Sequence, residues 1–487
     1  MNMQTLSSIV GTQTLPDTLQ HLTLTGLTLD SRHVKAGNAF VALAGMNQHG
    51  LNYVDEAVRR GAALLIIEAG LSVSSVDIPI LEIKDLRTHL SWLAANFYNQ
   101  PCRAMQVMAV TGTNGKTSCC HLMAQAWKIQ GHKSGVLGTL GNGIWGQLQP
   151  STHTTADAIS LQAELSKMAG AGVTHLAMEA SSHGLDQDRM AAVPVQWAVF
   201  TNLTRDHLDY HGDMEHYAAA KARLFAWEGL KGAIVNAADP YHGSMLASLH
   251  AGVPLLRYGH SVGDDLWFDQ VQMGAQGISC QVHGRYGQGV LRTRLLGRFN
   301  LDNVLAVVGC LLMQGTSLEQ ALEVVAELDP VAGRMQTLRI AGCPTVVVDY
   351  AHTPDALQQV LQSLREGLQG SLICVVGCGG NRDAGKRPIM GRLASELADV
   401  IWLTSDNPRD ERPEDILAQM QTALLRPVHT EIDRRQAIHK ALAAAHSDSV
   451  VLIAGKGHET YQEIAGQRHP FDDMAVARQW LQEGLCN

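Results

Sequence analysis

The 487-residue chain is predicted to be an α/β protein with three domains. One hydrophobic core seldom covers a chain of this length, because domains usually hold about 100–200 residues. Apolar runs alternate with helical segments between about residues 105 and 240, and the alternation returns after about residue 340. Strands that alternate with helices form parallel, doubly wound sheets, so two such units are expected.

The first domain is predicted over residues 1–102 as a small α/β unit. Two segments have the apolar runs of strands with turn residues between them, LTLDSRHVKAGNAFVALAG and ALLIIEAG. The segment LRTHLSWLAANFYN follows them with a helical pattern.

The second domain is predicted over residues 103–336 and the third over residues 337–487. Their apolar runs end in polar corners, which include TGTNGKT, ASSHG and TNLTRDHLD in the second domain and YAHTPDA, CGGNRD, SDNPRD and GKGHETYQ in the third. Ligands of open parallel sheets bind beyond the carboxyl ends of the strands, so two binding edges are expected to face each other. Residues 242–297 have short alternating runs, which predict antiparallel strands appended to the second domain.

Composition excludes several classes of protein. The net charge of −9, the pI of about 6.2 and the absence of a Lys/Arg-rich run argue against nucleic acid or an anionic membrane as the main partner. The first residues, MNMQTLSSIVGTQTLP, lack the pattern of a signal peptide, and no stretch holds enough apolar residues for a membrane span. We therefore expect a cytoplasmic protein without membrane insertion. The nine cysteines are scattered without a paired C-x-x-C, so they are expected to be reduced and mostly buried.

Residues 110–118, VTGTNGKTS, are predicted to bind phosphate groups. The first glycine of the general pattern would stand at Val110, but Gly112, Gly115, Lys116 and Thr117 are in place. A strand that turns tightly into a helix start directs backbone N–H groups at an anion. Lys116 can reach the outer phosphates and Thr117 can bind Mg²⁺. No guanine-specific N-K-x-D follows, which favours ATP; the alternative is a glycine turn with a surface lysine.

The order of the motifs resembles the Mur ligase family along nearly the whole chain. The motifs are VTGTNGKTS, MEASSHGLDQDR, TNLTRDHLDYHG, the lysine of YAAAKARLF, GRFNLDNVLA, DYAHTPDAL, GNRDAGKRP, DNPR and AGKGHE. The resemblance implies an N-terminal domain for a UDP-sugar substrate, a central P-loop ATPase with a doubly wound, mainly parallel sheet, and a C-terminal Rossmann-like domain for an amino acid.

Members of this family phosphorylate a carboxylate with ATP and let an amine displace the phosphate. The motif DNPR resembles the members that use meso-diaminopimelate. The implied reaction adds this amino acid to the D-glutamate of UDP-MurNAc-L-Ala-D-Glu in peptidoglycan precursor synthesis, with ATP as co-substrate and Mg²⁺ as cofactor. It also implies a part in cell wall biogenesis, cell shape and cell division, and we expect a monomer.

The resemblance assigns catalytic, metal and ATP residues. The implied catalytic residues are Lys116, Glu179, His207 and Lys221. The implied metal ligands are Thr117, Glu179, His207 and Lys221, the last as a carbamate formed with CO₂. The implied ATP contacts are Gly112, Thr113, Asn114, Gly115, Lys116, Thr117, Ser118, Asn300, Asn303, Arg334 and Asp349. From the residues alone, Glu179 could be a capping or salt-bridged carboxylate, His207 a structural histidine and Lys221 a solvated lysine on a helix.

Two further sets belong to the other substrates. The implied UDP-sugar contacts are Leu29, Ser31, Thr154, Thr155, Ser181, Gln187 and Arg189. Asn47 and Gln48 are assigned to the uracil or sugar, although GMNQHGLNYV departs from the family pattern around Gly50. The implied diaminopimelate contacts are Arg382, Asp406, Asn407, Pro408, Arg409, Gly455 and Glu459.

The choice of diaminopimelate depends on Arg409. This amino acid differs from lysine by a second carboxylate, and a planar guanidinium suits a carboxylate. The alternative for Arg409 is a surface ion pair with Asp410 or Glu411. The alternatives for the whole protein are a lysine-adding ligase, another Mur or folylpolyglutamate-type ligase, or an ATP-regulated binding or scaffold protein.

Overall fold

A computed structural model of the chain describes residues 3–10, 15–45, 48–73, 76–151, 153–274, 277–366 and 368–484. These residues form three main sheets, with helices packed on their faces. The predicted α/β class with three domains is confirmed. Within the described residues, no helix is long and apolar enough to cross a membrane. Eight cysteines lie in this part; all are free and seven are buried.

The N-terminal sheet has four parallel strands in the order β3-β4-β5-β6. Its strand LLIIE is buried on both faces: Leu64 and Ile66 enter one apolar cluster, and Leu65 and Ile67 enter the other. The first cluster also takes in residues from the helix LRTHLSWLAANF. The elements are β1 Gln4–Thr5, α1 Leu6–Val10, α2 Asp17–Gln20, β2 Thr23–Leu24, β3 Gly26–Thr28, β4 Asn38–Ala42, α3 Val54–Arg59, β5 Leu64–Glu68, β6 Ile80–Ile83 and α4 Leu86–Phe97, with short 3₁₀ helices at Ser31–His33, Gly50–Tyr53 and Pro101–Ala104.

The central sheet has ten strands in the order β16-β15-β14-β13-β12-β11-β7-β10-β8-β9. Helices cover both faces, so the sheet is doubly wound. Its strands are β7 Gln106–Thr111, β8 Ser134–Gly138, β9 Gly141–Ile144, β10 His175–Glu179, β11 Trp197–Phe200, β12 Gly232–Asn236, β13 Leu255–Gly259, β14 Leu266–Gly274, β15 Gly277–Gly284 and β16 Gly287–Thr293. Its helices are α5 Lys116–Ile129, α6 Ala158–Gly170, α7 Ser182–Asp186, α8 Leu208–His211, α9 Met214–Ala222, α10 His242–Ser248, α11 Phe299–Met313 and α12 Leu318–Ala326, with a 3₁₀ turn at Arg223–Ala226.

The antiparallel strands predicted within residues 242–297 are confirmed for β14, β15 and β16. Strand β13 differs, because it pairs in parallel with β12 and with β14. The segment therefore continues the parallel direction through β13 and β14, and the direction first changes at β15.

The third sheet has six strands in the order β17-β18-β22-β19-β20-β21. Val346 and Val348 face one apolar cluster and Val347 faces the other, as expected for a strand covered on both sides. The elements are β17 Gln336–Leu338, β18 Thr345–Asp349, α13 Pro354–Arg365, β19 Leu372–Val376, α14 Lys386–Leu397, β20 Val400–Leu403, α15 Pro413–Gln421, β21 His429–Thr430, α16 Arg434–Ala443, β22 Val450–Ala454, β23 Tyr461–Ile464, β24 Gln467–Pro470 and α17 Asp473–Gly484.

The carboxyl ends of the central and third sheets meet at the phosphate loop. Asn114 Nδ2 donates a hydrogen bond of 3.1 Å to Asp355 Oδ2 at the start of α13. Arg334 Nη2 donates one of 3.2 Å to Thr117 Oγ1. The polar corners of two sheets therefore border one cleft, as the sequence predicts.

Candidate active site

The loop of residues 112–115 connects β7 to α5 in a conformation that requires glycine. Gly112 has a φ of 148° and Gly115 a φ of 86°. A Cβ atom at Gly112 would lie 1.9 Å from Thr201 Oγ1, and one at Gly115 would lie 2.4 Å from Asn303 Oδ1. Val110, where the general pattern has glycine, is a buried strand residue of β7. The tight turn thus begins after that position, so it needs no glycine there.

Two side chains hold the loop in shape. Lys116 Nζ donates hydrogen bonds of 2.8 Å to the carbonyl oxygens of Gly112 and Thr113. Asn202 Oδ1 accepts one of 2.9 Å from the Asn114 N–H. The first N–H groups of α5, which have no partner within the helix, point out of its N-terminus. The loop thus has the form of an anion-binding site at a helix start.

Thr117 and Glu179 lie side by side below the loop. Thr117 Oγ1 donates a hydrogen bond of 3.0 Å to Glu179 Oε1, and Thr139 donates to both carboxylate oxygens, 2.8 Å from its N–H and 3.2 Å from its hydroxyl. Glu179 is buried at the end of β10. Its contacts with two threonines identify it as a hydrogen-bonded carboxylate, and among the described residues it neither caps a helix nor forms a salt bridge.

This pair of oxygens fits a Mg²⁺ site. Mg²⁺ in nucleotide enzymes is held by one or two protein oxygens together with phosphates and water, at about 2.1 Å. Two adjacent ligands of one octahedral ion lie about 3 Å apart, the distance between Thr117 Oγ1 and Glu179 Oε1. No group of three or more His, Cys, Asp or Glu side chains able to hold a metal occurs in the described ranges.

Lys221 is buried, contrary to the solvated position that its helix alone would suggest. Its side chain is on α9, the residue is 1% exposed, and Nζ donates a hydrogen bond of 2.7 Å to the Gly112 carbonyl oxygen. The ammonium also lies 4.5 Å from the centre of the Tyr217 ring. Burial, and next the charge of Lys116, hold the pKa of Lys221 well below its usual range. A neutral amine is therefore accessible next to the phosphate loop.

His207 stands at the mouth of the same cleft. Its ring lies 6.2 Å from the Tyr217 ring, whose hydroxyl is 3.2 Å from Thr113 Oγ1 in the loop. The side chain of His207 is 47% exposed. The surrounding residues still remove part of the water around the imidazole ring, and this desolvation lowers the pKa of His207 to about 4. Neighbouring Asp206 opposes the shift. The imidazole is neutral near pH 7, the form in which histidine binds metals.

A cavity of about 220 Å³ opens beside the loop. Its lining includes Asn114, Gly115, Phe299 and Asn303. Asn303 Nδ2 donates a hydrogen bond of 2.9 Å to Asn300 Oδ1. The side chains of the two asparagines predicted to contact ATP are therefore joined to each other.

Arg334 and Asp349 border the loop from the domain junction. The guanidinium of Arg334 lies 4.8 Å from the centre of the Tyr350 ring, and its Nε has no hydrogen bond partner among the described residues. Asp349 accepts a hydrogen bond of 2.7 Å from the Met335 N–H, and burial raises the pKa of Asp349 to about 6. Arg334 thus contacts the loop through Thr117, and Asp349 accepts from the residue that follows Arg334.

Four of the predicted UDP-sugar residues, Thr155, Ser181, Gln187 and Arg189, form one hydrogen-bonded group, and Thr154 lies close by. Arg189 Nη1 donates to the Thr155 carbonyl oxygen at 2.7 Å, and two of its nitrogens donate to Gln187 Oε1. The Ser181 N–H donates to Thr155 Oγ1 at 3.1 Å, and the Thr154 hydroxyl is 3.0 Å from that of Thr139. Thr155 Oγ1 donates to the Glu179 carbonyl oxygen at 2.7 Å, and Thr154 is linked to the Glu179 carboxylate through Thr139.

Other predicted UDP-sugar residues lie in the first domain. Ser31 is buried and donates to Glu56 Oε2 at 2.6 Å, while half-buried Leu29 packs on the cluster that contains Ala158 of the central domain. Gln48 is exposed and bonded to the Tyr53 hydroxyl. Asn47 lies outside the described residues. Its assignment stays a prediction.

The predicted diaminopimelate residues come from three loops: Arg382 lies after β19, residues 406–409 after β20, and Gly455 and Glu459 after β22. The last two loops are hydrogen-bonded to each other. Asn407 Nδ2 donates a hydrogen bond of 2.7 Å to Glu459 Oε2, and Lys456 Nζ donates to both residues, at 2.9 Å to Asn407 Oδ1 and 2.8 Å to Glu459 Oε2. A Cβ atom at Gly455 would lie 2.4 Å from Asp406 Oδ2. The close approach of the two loops therefore requires glycine at residue 455.

Arg409 follows buried Pro408 with a φ of 52°, and its side chain is 21% exposed. Its Nη1 donates to the Gly380 carbonyl oxygen at 2.8 Å, and its Nε is 3.5 Å from Glu463 Oε2. The alternative of a pair with Asp410 or Glu411 is wrong, because the Glu411 carboxylate binds Arg387 and Asp410 accepts from Asn381. Exposed Arg382 lies across Gly379 from Arg409. The two guanidinium side chains thus flank one edge of the loops.

Family models match the chain in three consecutive stretches. They are described as the Mur ligase family catalytic domain at residues 23–98, the Mur ligase middle domain at residues 110–311 and the Mur ligase glutamate ligase domain at residues 333–457. The chain is 45% identical over 476 residues to the UDP-N-acetylmuramoyl-L-alanyl-D-glutamate–2,6-diaminopimelate ligase of Ectopseudomonas mendocina. The aligned region covers 96% of this chain and 97% of that protein. The chain belongs to the Mur ligase family. The ligase of the same name from Pseudomonas aeruginosa is 46% identical over 96% of this chain and 97% of its own length.

Solved structures of Mur ligases have the same fold. A structure titled as UDP-N-acetylmuramoyl-L-alanyl-D-glutamate–2,6-diaminopimelate ligase matches with a TM-score of 0.73 and 36% identity, over 99% of both chains. The MurF ligase of Thermotoga maritima in complex with ADP matches with a TM-score of 0.66 over 94% of this chain and 97% of that one. Its identity of 18% makes it evidence for the fold alone.

Several residues of this Mur ligase site were not singled out from the sequence. Asn202 and Lys456 lie within quoted motifs, TNLTRDHLD and AGKGHE, and their motif positions could have marked them. Tyr217 likewise opens the quoted motif YAAAKARLF. Thr139 carries no such signal and is found only because folding brings the end of β8 to Glu179.

Replacing Gly115 with alanine is expected to lower ATP-dependent turnover by at least about tenfold, because the added Cβ meets Asn303 Oδ1 and φ is positive. Steady-state kinetics with varied ATP will measure the effect. Gly131 also has a positive φ, but nothing lies within 4 Å of its added Cβ, so Gly131→Ala is the matched control. Equal effects of the two variants would contradict this reading of the loop.

Proposed function

We propose that the protein is an ATP-dependent ligase that adds meso-diaminopimelate to the D-glutamate of UDP-MurNAc-L-Ala-D-Glu, in cytoplasmic peptidoglycan precursor synthesis. The observation that carries the proposal is the junction of two sheet edges. One edge has the phosphate loop with Glu179 and buried Lys221, and the other leads into the loops of Asn407 and Glu459. Relatives at 45–46% identity are named for this reaction.

In the first step, a carboxylate oxygen of D-glutamate attacks the γ-phosphorus of ATP and ADP leaves. The acyl phosphate keeps that oxygen as its bridge. Lys116 and the first N–H groups of α5 hold the transferred phosphate and offset its charge. Asn300, Asn303, Arg334 and Asp349 hold the adenosine end. The cavity beside the loop supports this place for it, because Asn303 lines that cavity together with Asn114 and Gly115 of the loop.

Bound Mg²⁺ would neutralise the negative charge that develops on the phosphates. Thr117 and Glu179 would supply oxygen ligands to it, and neutral His207 would supply a nitrogen ligand. Lys221 supplies oxygens after its amine adds to the carbon of CO₂ and releases a proton, which gives a carbamate. The lowered pKa of Lys221 supports this, because only the neutral amine reacts with CO₂.

In the second step, a neutral amine of diaminopimelate attacks the acyl carbon and phosphate leaves as the amide forms. We place the carboxylate of the far end at Arg409, with Arg382 nearby. The ammonium at that end is placed at Glu459. A guanidinium offers two parallel donors to a carboxylate, which lysine as acceptor could not use because it lacks that group.

We also propose the wider arrangement. Residues 1–102 with Leu29 and Ser31 hold the UDP-sugar, residues 103–336 bind ATP, and residues 337–487 bind the amino acid. Thr154, Thr155, Ser181, Gln187 and Arg189 hold the remaining part of the nucleotide substrate near Glu179. The protein acts as a monomer and contributes to cell wall biogenesis, cell shape and division.

The path of the carboxylate oxygen tests this reaction. UDP-MurNAc-L-Ala-D-Glu labelled with ¹⁸O in the glutamate side-chain carboxylate is incubated with the protein, ATP, Mg²⁺ and meso-diaminopimelate. One ¹⁸O atom is expected in each inorganic phosphate, because the acyl phosphate passes its bridging oxygen to phosphate. The label in the phosphate is measured by mass spectrometry. If the amide product forms while the phosphate carries no ¹⁸O, the acyl-phosphate intermediate is contradicted.

Replacing Arg409 with alanine is expected to weaken use of diaminopimelate by at least about tenfold, because a lost charge-assisted contact costs about 1.5–3 kcal/mol. The measurement is kcat/KM with diaminopimelate varied at saturating ATP and UDP substrate. Arg412→Ala is the control, since Arg412 is nearby, is 75% exposed and pairs with Glu414. Unchanged kinetics in Arg409→Ala would remove Arg409 from the pocket.

A further inference from the structure

Behind the loops of Asn407 and Glu459, Arg434 and Asp473 form a fully buried ion pair. Both side chains are 0% exposed, and two hydrogen bonds of 2.8 Å join them, from Nε to Oδ1 and from Nη2 to Oδ2. Arg434 is the first residue of α16 and Asp473 the first of α17. Moving two charged groups out of water costs free energy, so a buried ion pair is weak evidence of a contribution to stability. Another role for this pair is therefore worth considering.

The same guanidinium contacts the ends of two strands. Arg434 Nη2 donates a hydrogen bond of 2.9 Å to the carbonyl oxygen of Ala454, the last residue of β22. Its Nη1 lies 3.5 Å from the carbonyl oxygen of Ser405, just beyond β20. Strand β19 lies between β22 and β20, so these two strands share no hydrogen bonds with each other. The guanidinium therefore joins the ends of two strands that are not neighbours in the sheet.

Each of these strand ends leads directly into a loop of the amino-acid pocket. Ser405 precedes the segment DNPR, and Ala454 precedes the segment GKGHE. On the pocket side the two segments are joined by Lys456, which donates to both Asn407 and Glu459. Asn407 also donates directly to Glu459 on that side. Arg434 connects the bases of the two segments on the side away from the pocket.

We propose that Arg434, oriented by Asp473, is a positioning residue that sets the gap between the two loops and so the length of the amino acid accepted. The inference rests on the proposed function, because it takes the two loops as the amino-acid pocket. Arg409 lies on one loop and Glu459 on the other, so a change in the gap moves the groups for the carboxylate and the ammonium apart. Misplacement by about 1 Å can cost about a hundredfold in rate.

The test compares Michaelis constants in Arg434→Lys. Lysine keeps the charge beside Asp473, but its single ammonium cannot form the fork together with both carbonyl contacts. The KM for diaminopimelate is expected to rise by about tenfold or more, while those for ATP and the UDP substrate stay within about twofold. As the KM for diaminopimelate rises, the ratio of kcat/KM for diaminopimelate to that for L-lysine is expected to fall. A purely structural pair would instead lower the melting temperature and leave this preference unchanged.

A double variant, Arg434→Met with Asp473→Leu, removes both charges and keeps the volume, a change that buried ion pairs often tolerate. The double variant lacks the guanidinium that joins the carbonyl oxygens of Ser405 and Ala454, so the KM for diaminopimelate is expected to rise as in Arg434→Lys. Arg365→Lys is the control, because Arg365 pairs with Asp399 at the amino end of β20. Equal changes in all three Michaelis constants, unchanged constants, or failure of both variants to fold would overturn the proposal. A wild-type protein inactive with diaminopimelate would instead contradict the proposed function itself.

Discussion

Replacing Lys221 with alanine is expected to lower ligase activity by at least about 10³-fold, the range seen when fixed electrostatic stabilisation of a transition state is lost. Added bicarbonate should not restore it. In the wild-type protein Nζ lies against the Gly112 carbonyl oxygen in the phosphate loop, and burial favours the neutral amine that reacts with CO₂. Alanine can form no carbamate and leaves no group to replace it. The measurement is ADP release with all substrates and Mg²⁺ present.

A spectroscopic readout separates carbamate formation from a structural role. In ¹³C-bicarbonate the wild-type protein should show a carbamate resonance that is absent from Lys221→Ala. Lys231→Ala is the control, because Lys231 is an exposed lysine of the same domain, 5.8 Å from the Trp197 ring centre. Full activity of Lys221→Ala, or an unchanged resonance, would refute the assignment.

Replacing Lys116 with methionine is expected to reduce kcat/KM for ATP by about 10²–10³-fold, the usual cost of one transition-state donor. Methionine has a similar length but has neither the charge nor the N–H groups. The two carbonyl oxygens that accept from Lys116, those of Gly112 and Thr113, lose their partner as well. Binding of UDP-MurNAc-L-Ala-D-Glu, followed by calorimetry, should change little.

The control for Lys116 lies on the same helix. Lys128→Met alters an exposed lysine in the last turn of α5, far along the chain from the loop, and should leave the kinetics unchanged. If Lys116→Met kept wild-type kcat/KM, the loop would not bind the transferred phosphate. The proposed ATP site would then have to be placed elsewhere.

The sheets and the phosphate loop were predictable because they depend on interactions between residues that are close in sequence. Apolar runs such as LLIIE and the turn with Gly112 and Gly115 depend on neighbouring residues, and the structure has strands and a helix start at these positions. Strand β13 was placed among antiparallel strands, since short apolar runs do not reveal the direction of pairing.

The details of the site depend on contacts distant in sequence. Lys221 looks like a surface lysine on a helix, and only packing of α9 against the phosphate loop buries it. Arg409 has acidic neighbours in sequence, yet its nearest carboxylate is that of Glu463, 54 positions away. Thr139 has no motif and reaches Glu179 from another strand. No local pattern could have predicted these three contacts.

The most direct test of the proposed ligase activity is ADP release from purified protein with ATP, Mg²⁺ and UDP-MurNAc-L-Ala-D-Glu, comparing meso-diaminopimelate with L-lysine. We expect ADP to appear with diaminopimelate, in step with the amide product, and not with lysine. Release with lysine in place of diaminopimelate would contradict the role of Arg409 and the specificity. Release with neither would contradict the proposed reaction and favour a protein that binds these ligands without joining them.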